Sequence, residues 1–378
     1  MKKSLIALAV LAASGAAMAQ SSVTLFGIVD AGVGYIKADG AGHVTGLLTG
    51  GNSTARLGFR GTEDLGGGLA ASFWLEGALN NDVGGGASQT TGYDFQRRST
   101  ISLSGTFGEI RLGRDFAATY LPSISYDVSG QRGFEQIEQF GAAGAGVTGL
   151  NGTTRVSNAV SYFLPSNLGG FYGNVQYAFG ERASTQTAVT LANGLSTSAA
   201  NAITDKTGNY MGGRLGYANG PLDVSASYGQ FADAVRTVGT TFYAEDYKIA
   251  NIGASYDFGV VKPMVFIQQD KIDGRATIAD YKLNTYALGA TAPLGAGVLR
   301  VQVSRYDTKG NNVDANKYSV GYVYNLSKRT ALYADLARLT NKNGGQFGLN
   351  GGVGGLAAGA PTVGGDVTAF AVGVKHSF

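Results

Sequence analysis

Residues able to make or break covalent bonds are scarce in this chain of 378 residues. It has no cysteine and only two histidines, His43 and His376, and neither has Ser and Asp partners in a pattern typical of a hydrolase. No cluster of His and Cys is present of the kind that holds zinc. We therefore expect that the protein is not an enzyme and that it uses neither a cofactor nor a metal.

Arginine is the residue type best suited to the chemistry that remains, which is electrostatic. Its guanidinium stays charged and presents several donors from one plane. Arg56 and Arg60 lie opposite the apolar side chains of Leu57 and Phe59 in an alternating segment. Because alternate residues of a strand point to opposite faces, both arginines are predicted to lie on the polar face.

Strands are the elements that must position these side chains. In the first alternating segment, residues 23–35, one face consists of Val, Leu, Ala and Tyr, and the opposite face carries Thr, Asp and Gly. About sixteen such segments follow one another, each near the length of a tilted membrane strand. They cover residues 23–35, 54–63, 69–79, 98–104, 109–115, 155–164, 170–179, 210–218, 222–231, 247–258, 261–270, 281–292, 298–306, 317–326, 330–339 and 366–378.

The composition supports one repetitive β-structure with a partly lipid-covered surface. Glycine occurs 60 times, tyrosine 20 times and proline 6 times, and 15% of residues are charged, compared with about a quarter in a soluble chain. The mean hydropathy is +0.02, and no apolar stretch of 18 residues follows the N-terminus. A helical membrane protein is therefore excluded.

The N-terminus is predicted to be a signal peptide of residues 1–19. Lys2 and Lys3 precede a short apolar segment, and residues 17–19 form an A-x-A cleavage site. The mature chain, 20–378, then has 27 basic and 26 acidic residues, a formal charge of +1. This balance does not indicate a nucleic-acid partner. Any preference for one ion sign must come from where the charges lie.

The connections between the segments alternate in length. Short turns cover 65–68, 105–108, 165–169, 219–221, 259–260, 293–297 and 327–329, and long connections cover 37–53, 80–93, 116–154, 180–209, 232–246, 271–280, 307–316 and 340–365. Strict alternation places all short turns at one rim, which is typical of outer-membrane barrels. A soluble sandwich has no reason to sort its loops in this way.

The predicted fold is therefore all-β: a 16-stranded antiparallel transmembrane β-barrel. In the last strand, one face consists of Phe370, Val372, Val374, His376 and Phe378, with smaller or polar residues behind it. Lipid requires the apolar face, and water tolerates the other. The third long loop, residues 116–154, is irregular and long for a compact domain, and we expect it to fold into the barrel and narrow a pore.

Several motifs make the chain similar to a known family. They are residues 22–30 (SVTLFGIVD), 56–66 (RLGFRGTEDLG), 107–114 (FGEIRLGR) and 374–378 (VKHSF). With them the mature chain resembles the general porins of β-proteobacteria over its whole length, above all the anion-selective trimeric porins. The resemblance implies passive diffusion of ions and small hydrophilic solutes across the outer membrane of a Gram-negative bacterium. It also implies a homotrimer in contact with membrane lipid and lipopolysaccharide, and a C-terminal aromatic, Phe378, that the assembly machinery reads.

The resemblance implies three constriction arginines, Arg56, Arg97 and Arg155, and a weak to moderate anion preference. Alternation supports Arg155, opposite Val156, Val160 and Tyr162, but in the strand with Ile101 and Leu103 it points Arg98 inward instead of Arg97. Both remain candidates. Arg60 is a second inward candidate on the strand of Arg56. Arg114 occupies a position where relatives keep an inward arginine, although its alternation with Leu112 points it outward.

The acids of the third long loop, Asp127, Glu135 and Glu138, leave two interpretations open. Facing the water, they would create a transverse field against the arginines and let both ion signs pass. Facing the barrel wall, they would anchor the loop. The alternative function is a substrate-specific channel for an organic acid or sugar, which would need a track of aromatic side chains; Trp74 and Phe163 are the isolated candidates on inner faces.

Overall fold

The computed structural model describes residues 22–86, 92–148, 150, 152–182, 205–238, 241–274, 279–310, 313–351 and 356–378. The predicted signal peptide, residues 1–19, lies outside them. Within these ranges no helix has the length and apolar character required to cross a membrane. Strands make up almost all of the regular structure.

Eighteen strand segments occur in the described residues. They are β1 (Ser22–Ala38), β2 (Gly42–Thr49), β3 (Arg56–Gly66), β4 (Leu69–Ala78), β5 (Arg98–Gly105), β6 (Gly108–Phe116), β7 (Val147–Thr148), β8 (Arg155–Phe163), β9 (Phe171–Ala178), β10 (Tyr210–Asn219), β11 (Leu222–Val238), β12 (Thr241–Tyr256), β13 (Lys262–Ile272), β14 (Tyr281–Leu294), β15 (Gly297–Lys309), β16 (Asp314–Asn325), β17 (Thr330–Lys342) and β18 (Val367–Ser377).

These segments form a closed barrel of sixteen antiparallel strands, which confirms the predicted fold class. Both β2 and β3 pair with β1, the first near the end of β1 and the second near its start, so together they make one interrupted barrel strand. The short β7 lies in the third long loop and pairs with β11. The barrel closes where β1 pairs with β18.

Side chains alternate across the barrel wall as the sequence predicted. In β15, Val301 and Val303 are exposed on the outer face, whereas Gln302 and Ser304 are buried on the inner face. Apolar side chains on the outer face can contact lipid without a desolvation cost, and polar side chains on the inner face can form hydrogen bonds inside the barrel. The barrel therefore has an apolar outside and a polar inside.

The strands are longer on the long-loop side than the sequence predicted. The expected loop 37–53 contains the end of β1 and all of β2, so His43 lies in a strand and not in a loop. Most of the expected loops 232–246 and 307–316 is also strand. Strand pairing continues beyond the apolar belt because it satisfies backbone N–H and C=O groups whatever the side chains are. Apolar alternation marks only the part of each strand that faces lipid.

Candidate pore constriction

The third long loop joins β6 to β8 and contains three short helical turns. These are Leu121–Ser125, Gly133–Glu135 and Gly141–Gly144. Most of its residues from 117 to 138 are buried, although the loop belongs to no strand of the wall. Its partners lie on the inner faces of strands from β9 to β17, so the loop runs inside the barrel along that wall.

Hydrogen bonds hold the first part of the loop to β9–β12. The Ala118 N–H donates to Oε1 of Gln176 over 2.9 Å, and the Asn251 side chain donates to the Thr119 carbonyl over 2.7 Å. The Tyr126 hydroxyl donates to Ser225 over 3.0 Å. The Tyr126 ring packs on Gly253, where an added Cβ would overlap it. A glycine in the wall thus admits the aromatic anchor of the loop.

The three loop acids are buried and make contacts within the loop or with the wall. Asp127 accepts hydrogen bonds from the N–H groups of Ser129 and Gln131, over 2.8 and 3.1 Å, and so closes the loop tip. Glu135 reaches Arg300 of β15 at 3.3 Å, and Glu138 reaches Lys317 of β16 at 2.7 Å. Of the two interpretations, the geometry matches the one in which the acids anchor the loop.

Burial raises the pKa of both loop glutamates, Glu135 and Glu138. Removal from water raises the pKa of Glu135 to about 7, against the opposing effect of the Arg300 guanidinium. Burial likewise raises the pKa of Glu138, and Lys317 opposes this shift. Both carboxylates are therefore costly to ionise without their cationic partners.

Arg56 and Arg97 lie together on the wall opposite the loop anchors and share one carboxylate. The Glu76 Oε1 atom is 3.4 Å from Nη1 of Arg56 and 2.6 Å from Nε of Arg97. Arg97 precedes β5, and its backbone N–H donates to the Glu76 carbonyl over 3.0 Å. This contact holds Arg97 against the inner face although it lies outside the regular strand.

A bend in the barrel wall positions Arg56. Between β2 and β3 the chain leaves the sheet, and the Asp30 carboxylate accepts hydrogen bonds from the N–H groups of Asn52 and Ser53 over 3.1 and 2.6 Å. The Tyr333 hydroxyl donates to the other carboxylate oxygen over 2.8 Å. Arg56 follows as the first residue of β3, with its Nε donating to the Thr54 carbonyl over 2.9 Å.

Arg155 and Arg132 complete this group. The Arg155 guanidinium carbon lies 4.1 Å from the centre of the Phe116 ring, and its side chain is within electrostatic reach of Arg97 and Arg132. Arg132 projects from the loop; burial lowers its pKa, and the Arg97 charge lowers it further. We call Arg56, Arg97, Arg132 and Arg155 the arginine cluster.

The alternation argument for Arg155 is wrong at one residue. Val160 and Tyr162 are exposed on the outer face as expected, but Val156 is buried. A register shift between β6 and β8, with Asn158 at φ 56°, reverses the side-chain direction at this end of the strand. Arg155 therefore reaches the cluster from the strand end, beside Phe116, and not through simple alternation.

Arg98 is also on the inner face, as alternation predicted, so Arg97 and Arg98 are not exclusive alternatives. The Arg98 guanidinium carbon lies 4.6 Å from the Trp74 ring centre, and Arg60 lies 5.1 Å from the same ring. Phe26 meets Trp74 edge-on at 5.1 Å. Trp74 was predicted to be isolated, yet it lies among these partners beside a cavity of about 420 Å³.

Phe163, the other aromatic residue predicted to be isolated, makes a cation–π contact with Arg111. The Arg111 guanidinium carbon is 4.1 Å from its ring centre, and Arg111 pairs with Glu109 and Asp115 at 2.9 and 2.5 Å. Arg111 lines the same cavity as Arg60 and Arg98. The inner wall below the arginine cluster is therefore also rich in arginine, with two carboxylates beside it.

Arg114 does not lie on the inner face, which is where the resemblance implied it would be. It pairs with Ser99, on the face that carries the exposed Ile101, and its side chain donates to the Gln96 carbonyl and to Ser157 over 2.5 and 2.7 Å. Alternation with Leu112 had indicated this orientation. The guanidinium therefore lies away from the inner face, which carries the buried neighbour Asp115.

Two residues of the site were not among the predicted ones, Glu76 and Arg132. Glu76 has the same strand parity as Trp74, so the alternation of β4 could have placed it inside. Arg132 lies in an irregular run between Gln131 and Gly133, both with positive φ, where no periodicity exists to assign a direction. Only the folded loop shows that its charge joins the cluster.

Comparison with known proteins then gives the family. A family model described as Gram-negative porin matches residues 5–344. The chain belongs to this family. The porin is 46% identical to outer membrane porin protein 32 of Delftia acidovorans over the full length of both chains, and 35% identical to an outer membrane porin of Bordetella pertussis over 88% of this chain and 93% of that one.

Solved structures agree with this assignment. The porin superposes on an anion-selective porin from Comamonas acidovorans with a TM-score of 0.81 and 42% identity, covering 95% of this chain and all of that chain. A trimer form of OmpT from Vibrio cholerae, 14% identical over 95% of this chain and 99% of that one, has a TM-score of 0.62 and shares the fold alone.

The chain is thus an outer-membrane porin of a Gram-negative bacterium, which passes ions and small hydrophilic solutes by diffusion. Its relatives are channel proteins rather than enzymes.

Proposed function

We propose that this porin prefers small anions, weakly to moderately, and that Arg56, Arg97 and Arg155 carry the preference. The supporting observation is the arginine cluster, in which Arg56 and Arg97 pair directly with Glu76, while Arg132 and Arg155 lie within electrostatic reach of the same carboxylate. Rings of arginine select anions in pores because their charge is permanent and weakly hydrated. The anion-selective porin from Comamonas acidovorans, 42% identical, supports the same preference.

The buried loop acids favour an anion preference over a transverse field. Asp127, Glu135 and Glu138 are engaged with the loop tip or with cations of the wall. Their charges are therefore compensated before an ion in the pore meets them. Arg98 and Arg60, further along the same wall, continue the positive surface, and we leave Arg114 out of the constriction.

The test is the reversal potential of single channels in a potassium chloride gradient. We expect the wild type to pass chloride in preference to potassium, and each of Arg56→Gln, Arg97→Gln and Arg155→Gln to lower the chloride-to-potassium permeability ratio about two- to fivefold. Arg338→Gln is the matched control, because Arg338 is exposed on the outer face of β17. A cation-preferring wild type, or unchanged ratios in all three variants, would reject the proposal.

A channel specific for an organic acid is the second candidate. It is favoured by the cavity of about 420 Å³ that Arg60, Trp74, Arg98 and Arg111 line, since these side chains combine positive charge with an aromatic surface. Such a channel would show current block that saturates with one organic acid. A general porin would show no saturation with any solute of the same charge and size.

We also propose a cleaved signal peptide, a homotrimer and contact with lipopolysaccharide for the mature protein. The A-x-A site before residue 20 supports the first, and the family supports the other two. N-terminal sequencing of outer-membrane protein should begin at Gln20. An unheated denaturing gel should show a trimer that heat converts to monomers.

A further inference from the structure

Four lysines form a row across four adjacent strands of the barrel. The strand register makes Lys248 of β12 the direct partner of Lys271 in β13, Lys271 the partner of Lys282 in β14, and Lys282 the partner of Lys309 in β15. Direct cross-strand partners on one face lie about 5 Å apart. We call these four residues the lysine row.

The lysine row faces outward, at the long-loop side of the apolar belt. Four residues from each lysine toward the short-turn rim lie Ile252, Ile267, Tyr286 and Arg305, which are also direct cross-strand partners of one another. The first three are exposed on the outer face. Four residues of a strand span about 13 Å, or about 10 Å of height at the tilt of a barrel strand.

Between the two rows lie Ala250, Gln269, Asn284 and Asp307, three of them polar, so the hydrocarbon ends in this interval and the lysine row lies about 5–10 Å above its edge. The apolar belt ends where the hydrocarbon ends, and the headgroup layer adds about 5–8 Å on each side of it. Long loops of outer-membrane barrels face the outside of the cell. The lysine row therefore meets the headgroups of the outer leaflet.

Like charges placed directly across strands destabilise a sheet, so a row of four lysines needs compensation. Asp273 lies 2.9 Å from Lys248 and 2.5 Å from Lys271, and Asp307 lies 2.6 Å from Lys309. Within the described part of the chain, no carboxylate comes within 4.0 Å of the Lys282 ammonium. Within this 4.0 Å range, two carboxylates against four lysines leave a net charge of +2, and Asp246 and Asp314 act on the row only from further away.

We propose that the lysine row binds the phosphate groups of the phosphorylated glycolipid in the outer leaflet, with Lys271 and Lys282 at its centre. A bisphosphorylated headgroup matches the net positive charge, and its acyl chains fit the exposed Ile267 and Tyr286 beneath. A second copy of the chain is a poorer occupant, because lysine is depleted from interfaces between subunits. This inference rests on the proposed contact with lipopolysaccharide and is independent of the ion preference.

The test compares binding of bisphosphorylated lipid A and of its dephosphorylated form to detergent-purified, lipid-free porin by native mass spectrometry. We expect Lys271→Gln/Lys282→Gln to bind the phosphorylated form roughly ten- to thirtyfold more weakly at low ionic strength, since each lysine near an anionic surface contributes about fivefold. Lys271→Arg/Lys282→Arg should retain binding. Lys328→Gln/Arg329→Gln is the control, because it removes two exposed charges at the short-turn rim, and it should bind as the wild type does.

The outcomes separate this inference from the broader ones. Equal binding by the glutamine variant and the control would overturn the lysine row while leaving lipopolysaccharide as a partner. Wild-type porin that binds dephosphorylated lipid A equally well would overturn the phosphate assignment. If neither lipid binds the wild type, the partner proposal itself fails. Unchanged single-channel conductance of each variant verifies that the barrel has assembled.

Discussion

At the scale of single residues, Glu76 organises the constriction. Its Oε1 atom pairs with both Arg56 and Arg97, and its Oε2 atom accepts a hydrogen bond from Trp74 over 3.2 Å. One carboxylate therefore holds two guanidinium groups in place and subtracts one charge from the arginine cluster. Glu76 therefore has two opposite effects on anion selectivity. It fixes the arginines where they can act on a passing ion, which favours selectivity, and it neutralises part of their charge, which weakens it.

Substitution of Glu76 separates these two effects. Glu76→Gln keeps one oxygen acceptor for the arginines but places an NH2 group where Trp74 donates, and it removes the negative charge, so we expect the chloride-to-potassium permeability ratio to rise about two- to fivefold. The measurement is the reversal potential in a salt gradient. Glu63→Gln, at an exposed position of the same barrel region in β3, should leave the ratio unchanged. A lower ratio in Glu76→Gln would mean that arginine positioning outweighs charge.

At the scale of elements, the third long loop is anchored through buried ion pairs. Lys317 is almost completely buried, and its ammonium donates to Glu138 over 2.7 Å and to the Gln136 carbonyl over 2.5 Å. Breaking one half of a buried pair leaves the other charge without compensation, at a typical cost of about 3–5 kcal/mol. The loop therefore stays against the wall only while both charges are present.

Removal of Lys317 should release the loop. We expect Lys317→Met to destabilise the folded barrel by a few kcal/mol and to add transient closures to single-channel records, because Glu138 would then be buried without a cation. Thermal unfolding and current noise measure the two effects. Lys342→Met, at the exposed end of β17, is the control. Addition of Glu138→Gln to Lys317→Met should recover most of the stability; no recovery would contradict a direct coupling of the pair.

At the scale of the whole molecule, the barrel depends on its closing seam. Strands β1 and β18 pair along residues 28–38, and the backbone of Phe378 exchanges two hydrogen bonds of 3.1 Å with Gly27. The Phe378 ring lies over Gly27, where an added Cβ would overlap it. The C-terminal residue thus occupies the last position of the seam, and closure removes the free strand edges that promote aggregation.

A matched pair of phenylalanines tests the role of this position. Phe378 and Phe370 are both 46% exposed on the outer face of the last strand, so their loss removes similar contacts with lipid. We expect Phe378→Ala to lower the yield of assembled porin several-fold, with Phe370→Ala near the wild type. Conductance of the assembled fraction should be unchanged in both. Equal yields would remove any special role of the C-terminal aromatic in assembly.

The sequence by itself determined the architecture of this porin. Alternation over sixteen segments and the alternation of short and long connections were sufficient to predict the closed antiparallel barrel, because lipid imposes a period of two on every spanning strand. The same period placed Arg56, Arg60 and Arg98 on the inner face. It could not predict the strand extensions above the belt, where apolar and polar side chains no longer alternate and apolar residues such as Ile36, Leu48 and Val235 are buried.

The tertiary structure alone decided the arrangement of charges at the constriction. Arg97 lies before a strand, Arg132 lies in an irregular loop, and a register shift separates Arg155 from the regular part of its strand, so no period assigns them a direction. Glu135 and Glu138 face the wall because Arg300 and Lys317, about 165 to 180 positions further along the chain, compensate their burial. Which charges meet the water depends on such distant partners, and local sequence carries no information about them.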